Sequence, residues 1–186
     1  NVNTEIKRNL RTITIPAMVT SVTTGQFEDC RYLYAIYVNS GNSKFSSKDG
    51  VLYFKAMSVA SRVITTYLEC YPQAKQNETF SMGYDISRNT HFMIAPKAFA
   101  NCKNLKQIVL TGFGDRGGAI HIENDTFKNC TNLKEIKLTV EGAVLIPNAS
   151  ENAFSGVDVE HCKLIVQCEH YSEYVANSVW SQFDIQ

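Results

Sequence analysis

The sequence predicts a single domain of the α/β class, folded as a right-handed, β-rich solenoid with short helical turns, a β-hairpin-like insert and a C-terminal capping helix. Three observations predict this fold. The 186 residues suit one domain. An apolar motif of the form Phe-x-x-Cys-x-x-Leu-x-x-Ile-x-(Leu/Val) recurs along the chain. The motif ends in apolar residues two apart, which is typical of a short strand with one buried face.

The recurring motif has three full copies and one degenerate copy. Their first three apolar positions are Phe27, Cys30 and Leu33, then Phe99, Cys102 and Leu105, then Phe127, Cys130 and Leu133. The degenerate copy begins at Phe154, with Val157 in place of the cysteine. A coil of this kind cannot bury its apolar side alone, so neighbouring coils are expected to stack through their motif residues.

The motif divides the chain of residues 1–186 into four parts. We predict N-terminal repeats in 1–38, β-rich atypical repeats in 39–93, regular repeats in 94–170 and a cap in 171–186. In the second part, the Asp49-Gly50 turn signal precedes a strand pattern, and the 72 residues from Phe27 to Phe99 have room for about three periods. We therefore expect a β-rich insert that replaces the Phe/Cys turns of the intervening coils.

The C-terminal segment is predicted to be a helix that opens near Ser172. Its apolar face would carry Tyr174, Trp180 and Phe183. The last coil of a solenoid exposes an apolar end, so a cap over that end is the natural function of this helix.

Composition excludes two classes of partner. Equal numbers of basic and acidic residues, 18 each, leave no basic surface for a nucleic acid. The longest apolar run, residues 32–38, is far shorter than a membrane-spanning helix, so we expect no membrane insertion. The first residues lack a signal-peptide pattern, from which we expect any targeting signal to have been removed.

The glycine-rich segment 112–118 matches the spacing of a dinucleotide-binding loop. Such a loop should open a helix that holds the pyrophosphate, whereas here the alternating residues of a strand follow. We expect a projecting loop that binds no nucleotide.

Four residues near the C-terminus, His161, Cys162, Cys168 and His170, have side chains of metal-ligand type. Their spacing does not suit a structural zinc site, and a strand pattern separates the two cysteines. We therefore assign no metal ligand and no cofactor, and a metal-dependent module based on this cluster is kept as an alternative.

The six cysteines invite a disulfide interpretation that the repeat opposes. Cys30, Cys102 and Cys130 share one repeat position, so we expect buried free thiols. A bridge among Cys70, Cys162 and Cys168 is left open. The histidines sit in unrelated contexts, and no catalytic residue is assigned.

The strand residues that alternate with the core form a predicted outward face. It consists of Tyr37, Gln107, Val109, Glu135, Lys137 and Ile165. Exposed Tyr and Val among polar neighbours are typical of a contact surface, although a plain solvated sheet explains them almost as well.

Several segments together closely resemble the BspA-type leucine-rich repeat family. They are the Phe-x-Asn-Cys-x-Asn-Leu-Lys-x-Ile pattern in 98–108 and 126–136, residues 45–53, the Tyr71-Pro72 turn and the Tyr-Trp-Phe ending. The resemblance implies a leucine-rich repeat solenoid that is exported or displayed at the surface of a host-associated microbe. Some members of the family are adhesins for host matrix proteins, and the resemblance implies no enzyme.

We therefore predict a secreted or cell-surface module for protein binding or adhesion, without catalytic activity. Its ligand would be a protein or a glycan, with host matrix proteins among the candidates. A structural spacer in a larger surface protein is the alternative from a different class.

Overall fold

A computed structural model describes residues 4–58, 62–85, 90–113, 120–141 and 146–186. From β5 to β12 the chain alternates between two larger sheets, whereas β1 and β2 form a separate two-stranded sheet. The strands are β1 Thr12–Ile15, β2 Ala35–Val38, β3 Phe45–Lys48, β4 Val51–Met57, β5 Ile64–Cys70, β6 Thr79–Asp85, β7 Thr90–Ile94, β8 Gln107–Phe113, β9 Ile120–Ile122, β10 Glu135–Glu141, β11 Asn148–Ala149, β12 Lys163–Ile165 and β13 Asp184–Ile185. The helices are α1 Thr4–Asn9 and α2 Tyr171–Ala176, with 3-10 turns at Val159–His161, Cys168–His170 and Trp180–Gln182.

The five-stranded sheet has the order β13-β12-β10-β8-β6, and every neighbouring pair is parallel. Equivalent residues of β8 and β10, such as Ile108 and Ile136, lie opposite each other. Alternate residues of these strands are buried because one face of the sheet covers the core. The parallel strands expected from the repeat are thus confirmed.

The six-stranded sheet has the order β11-β9-β7-β5-β4-β3. Strands β5, β7, β9 and β11 are parallel, whereas β3 and β4 join as an antiparallel hairpin beside β5. The hairpin turn is Asp49-Gly50, and both residues have a positive φ, which suits a tight hairpin turn. The predicted insert is therefore a hairpin that widens this sheet.

A column of aromatic rings runs along the core. The rings of Tyr71, Phe99, Phe127 and Phe154 stack in succession, with centroids 5.0, 5.0 and 5.2 Å apart. Tyr71 thus occupies the motif position 28 residues before Phe99. The 72 residues from Phe27 to Phe99 have room for about three periods, but within the described residues one further copy of this turn, that of Tyr71, lies between them. The hairpin is inserted before this copy and does not replace it.

The buried apolar residues form two clusters with the hairpin between them. Leu52 and Phe54 of β4 pack into the N-terminal cluster with Ile36. Val51 and Tyr53, on the opposite face of the same strand, pack into the larger C-terminal cluster. Since successive side chains of a strand point to opposite sides, one strand contributes to both clusters.

The C-terminal segment differs from the single helix expected. Helix α2 ends at Ala176, and the Asn177 Oδ1 accepts hydrogen bonds from the backbone N–H groups of Val179 and Trp180. Trp180 therefore lies in a separate 3-10 turn. Tyr174, Trp180 and Phe183 are nevertheless all buried. The capping function of the segment and the handedness of the solenoid stay predictions.

Candidate functional site

The outer face of the five-stranded sheet collects five of the six residues predicted for a contact surface. Gln107 lies opposite Glu135, and Val109 lies opposite Lys137, which in turn lies opposite Ile165. The stacking of equivalent coils brings these residues together, although they are far apart in sequence.

The first row across this face is polar and internally hydrogen-bonded. The Thr79 hydroxyl donates to the Gln107 Oε1 at 3.1 Å, and the Gln107 Nε2 donates to the Glu135 Oε1 at 2.6 Å. Lys163 and then Asp184 continue the row on β12 and β13. These contacts hold the Gln107 and Glu135 side chains in defined positions.

The second row is mixed. It contains Ser81, Val109, Lys137 and Ile165, of which Val109 and Ile165 are half-buried and Lys137 is exposed. The third row consists of Gly83, Thr111 and Thr139. Two partly exposed aliphatic side chains thus lie between polar rows, on a backbone that the parallel ladder holds rigid.

Tyr37 does not join this face, which corrects the sequence prediction. It lies on β2 in a separate two-stranded sheet with β1 and is 50% exposed. The hairpin turn occupies the position beside β2, where the Ile36 N–H donates to the Gly50 carbonyl at 2.9 Å. This long-range insertion interrupts the column that the repeat alone predicts.

Two further tyrosines near Tyr37 were missed by the sequence reasoning. Tyr32 and Tyr34 are 49% and 46% exposed, and the Arg31 guanidinium lies 5.2 Å from the centre of the Tyr32 ring. Both belong to the apolar run 32–38, from which only Tyr37 was assigned to the outward face. The signal that was available is that Tyr, unlike Ile or Leu, tolerates an exposed position through its hydroxyl.

The residues assigned to the repeat core all lie in the interior. They are Phe27, Cys30, Leu33, Phe99, Cys102, Leu105, Phe127, Cys130, Leu133 and Phe154. The Cys102 and Cys130 thiols donate to the carbonyls of Tyr71 and Phe99, at 3.5 and 3.0 Å. Each thiol therefore bonds to the preceding coil, at the residue of the aromatic column.

All six cysteines are free in the structure. Burial raises the pKa of Cys130 and of Cys162 to about 12, and it also raises the pKa of Cys30, Cys70 and Cys102. Cys168 alone is exposed.

The four possible metal ligands near the C-terminus are not brought together. The Cys162 side chain lies in the core, whereas Cys168 and His161 are exposed. His161 is hydrogen-bonded to Asp158 at 2.9 Å, which raises the pKa of His161 and lowers that of Asp158. Throughout the described ranges, no three His, Cys, Asp or Glu side chains are placed to hold a metal ion.

The glycine-rich segment can be followed only at its start, where Gly112 and Phe113 end β8. Residues 114–119 lie outside the described residues, and the loop therefore stays a prediction. Within the part of the chain that is described, no helix is long and apolar enough to span a bilayer.

Comparison with known families gives one match over most of the chain. The model described as "BspA type Leucine rich repeat region" matches residues 5–71 and 92–185, with six copies. No curated protein matches the chain.

Three solved structures are similar to this chain. The pneumococcal vaccine antigen PcpA is 20% identical, with 95% of this chain and 55% of that chain covered and a TM-score of 0.43. A leucine-rich cell surface protein from Faecalibacterium prausnitzii is 20% identical, with coverages of 84% and 41% and a TM-score of 0.47. A leucine-rich repeat protein from Eubacterium ventriosum is 17% identical, with coverages of 80% and 59% and a TM-score of 0.33. This chain thus spans between 41% and 59% of the length of these structures.

Proposed function

The chain belongs to the BspA-type leucine-rich repeat family, and from that premise we propose that it is a non-catalytic protein-binding module displayed outside the cell. Its contact surface is the outer face of the five-stranded sheet, formed by Gln107, Val109, Glu135, Lys137 and Ile165. The ligand is a protein or glycan of the surroundings, with host matrix proteins as the first candidates. The proposal includes no nucleic-acid partner and no membrane insertion.

One observation carries this proposal. Val109 and Ile165 are half-buried aliphatic side chains in the middle row, and hydrogen-bonded polar side chains flank them in the first row. Protein interfaces combine an apolar centre with a polar rim in this way. Because the side chains stand on a parallel ladder, little conformational entropy is lost when a partner docks.

The spacer alternative makes a different prediction for the same face. A spacer needs only solvated polar residues on its outer strands, because nothing binds there. The partial exposure of Val109 and Ile165 favours the binding function.

The test is a charge reversal at the centre of the face. We expect Lys137→Glu to weaken binding to immobilised matrix proteins or glycans by about tenfold or more, as substitutions at an interface centre do. Lys103→Glu makes the same charge change at an exposed turn outside the face and should leave binding unaltered. Thermal melts of both variants would establish that they are folded.

Two results would count against the proposal. One is that the folded protein binds nothing across a panel of matrix proteins and glycans. The other is that Lys137→Glu and Lys103→Glu weaken binding equally, because that would indicate a general charge effect and no localised surface.

A further inference from the structure

A cleft of about 750 Å³ lies between the hairpin and the edge of the five-stranded sheet. Its lining includes the consecutive residues 79–83 of β6 and residues of β3, β4, β5 and β7, but none of β8. The cleft therefore runs along the side of β6 that faces away from β8. Its volume is in the range of clefts that bind ligands.

Strand β6 presents unused backbone groups to this cleft. It ends the order of its sheet, and among the described residues β8 is its only strand neighbour. The Gln107 N–H donates to the Glu78 carbonyl at 3.0 Å, and Gln107 is the register partner of Thr79. In a parallel ladder, alternate residues of a strand direct their backbone groups to opposite sides. Because the Glu78 carbonyl bonds to β8, the N–H and C=O groups of Thr79, Ser81 and Gly83 point away from β8.

The hairpin contacts β6 through side chains and forms no ladder with it. The Tyr53 hydroxyl approaches the Met82 Sδ at 3.8 Å across the cleft. Burial, and to a lesser degree the Asp49 charge, raise the pKa of Tyr53 to about 12. The two walls thus leave the β6 edge open along its length.

The cleft is basic. Lys48, Lys55 and Lys75 line it, against the single carboxylate of Asp49. The Lys75 ammonium donates to the Asp49 backbone carbonyl at 2.5 Å and lies 5.7 Å from the centre of the Tyr71 ring. The protein as a whole is neutral, so this excess of positive charge is local.

We propose that this cleft binds an extended, acidic peptide segment of a partner protein, which adds as a new strand to the open edge of β6. Backbone groups of the segment pair with Thr79, Ser81 and Gly83, as in other strand-addition complexes. Its carboxylates face the lysines of the hairpin. The site goes beyond the sheet-face proposal because it uses the free backbone edge of β6 and the hairpin lysines, whereas the sheet-face proposal rests on the side chains of β8, β10 and β12.

The test uses a synthetic peptide of seven residues in which Glu and Val alternate, with blocked ends. Titration calorimetry would compare it with a Lys-Val peptide of the same length and with a Glu-Val peptide N-methylated at every internal amide, so that neither edge keeps its donors. We expect binding of the acidic peptide only, and binding that weakens as salt concentration rises. N-methylation removes the donors that a ladder needs and should abolish binding.

Two variants locate the site on the protein. Ser81→Pro removes an N–H that faces the cleft and that β8 does not use, which an edge strand tolerates, whereas Ser81→Ala keeps it. We expect about tenfold weaker binding for Ser81→Pro and for the double variant Lys48→Gln/Lys55→Gln, and no change for Ser81→Ala or for Lys137→Glu on the sheet face.

Hydrogen exchange gives a readout that does not depend on any variant. The amides of Ser81 and Gly83 should exchange rapidly in the free protein and slowly with the acidic peptide bound, whereas the Met82 amide, bonded to β8, is protected in both states. The proposal is overturned if the acidic peptide does not bind, if its N-methylated form binds equally, or if Ser81 and Gly83 gain no protection. None of these outcomes affects the sheet-face proposal, which Lys137→Glu tests separately.

Discussion

Gly50 shows how a single residue holds the insert in place. Its φ is +75°, and a Cβ at this position would lie 2.9 Å from the Ala35 Cβ. The turn therefore needs glycine for both its conformation and its close approach to β2.

We expect Gly50→Ala to lower the free energy of unfolding by about 2 to 4 kcal/mol, from backbone strain and the clash with Ala35. Gly41→Ala is the matched control, because Gly41 has a φ of +89° but nothing within 4 Å of its would-be Cβ. It should cost about 1 kcal/mol from strain alone. Urea denaturation measures both, and equal losses would contradict the assigned contact with Ala35.

The cysteines offer a second test at the scale of single residues. Only the thiolate reacts with alkylating agents. Burial raises the pKa of every cysteine except the exposed Cys168. At pH 8 the folded protein should therefore take up one label, at Cys168, and six after unfolding. Mass spectrometry of peptides gives the position, and rapid native labelling of Cys102 or Cys130 would contradict the packing described.

At the scale of elements, the C-terminal segment is joined to the last coils by one side chain above all. Trp180 is fully buried, its ring contacts Phe154, and its indole N–H donates to the Pro147 carbonyl at 2.8 Å. Trp180→Ala should lower the free energy of unfolding by about 3 to 5 kcal/mol. Trp180→Phe keeps most of the packing and should cost less, which chemical denaturation would show.

Removal of residues 171–186 extends this test to the whole segment. The truncation exposes the apolar end of the last coil and the edge of β12, so we expect aggregation. A truncated chain that remains monomeric and melts at the same temperature would refute the predicted capping function.

Elements with local signals could be predicted from the sequence. The Phe, Cys and Leu spacing placed the turns and strands of the regular coils, because the same residues form each coil and stack on its neighbour. The coil of Tyr71 was missed because Tyr71, Ala74 and Asn77 replace the three leading motif residues. The predicted helix is longer than the observed α2. The Asn177 side chain accepts hydrogen bonds from the N–H groups of Val179 and Trp180, and the chain therefore forms a separate turn after α2.

The contact face was predictable only where the repeat is regular. Gln107, Val109, Glu135, Lys137 and Ile165 share one sheet because their coils stack without interruption. Tyr37 was misplaced because the hairpin, whose docking depends on contacts distant in sequence, separates β2 from that sheet. The basic cleft depends on the same docking and has no local signature in the sequence.

At the scale of the whole molecule, the hairpin couples the two apolar clusters. Leu52 is fully buried in the N-terminal cluster, whereas Leu110 is buried in the C-terminal one. Each leucine-to-alanine change should cost about 2 to 5 kcal/mol. Leu52→Ala should accelerate hydrogen exchange first in β1 and β2, and Leu110→Ala first in β8 and β10. Identical exchange patterns for both variants would indicate a single cooperative core.

The constant register of β6, β8 and β10 has a consequence for how such chains change in length. Equivalent residues of β6, β8 and β10 are offset by the same 28 positions at every register pair. Unequal recombination that duplicates one such unit would therefore place a new Phe between two existing rings and a new strand in each sheet, without disturbing the ends. A gain or loss of a single residue in a strand would instead turn core side chains outward. The number of coils between the hairpin and the C-terminal turn can therefore change by whole units without a change in the packing at either end.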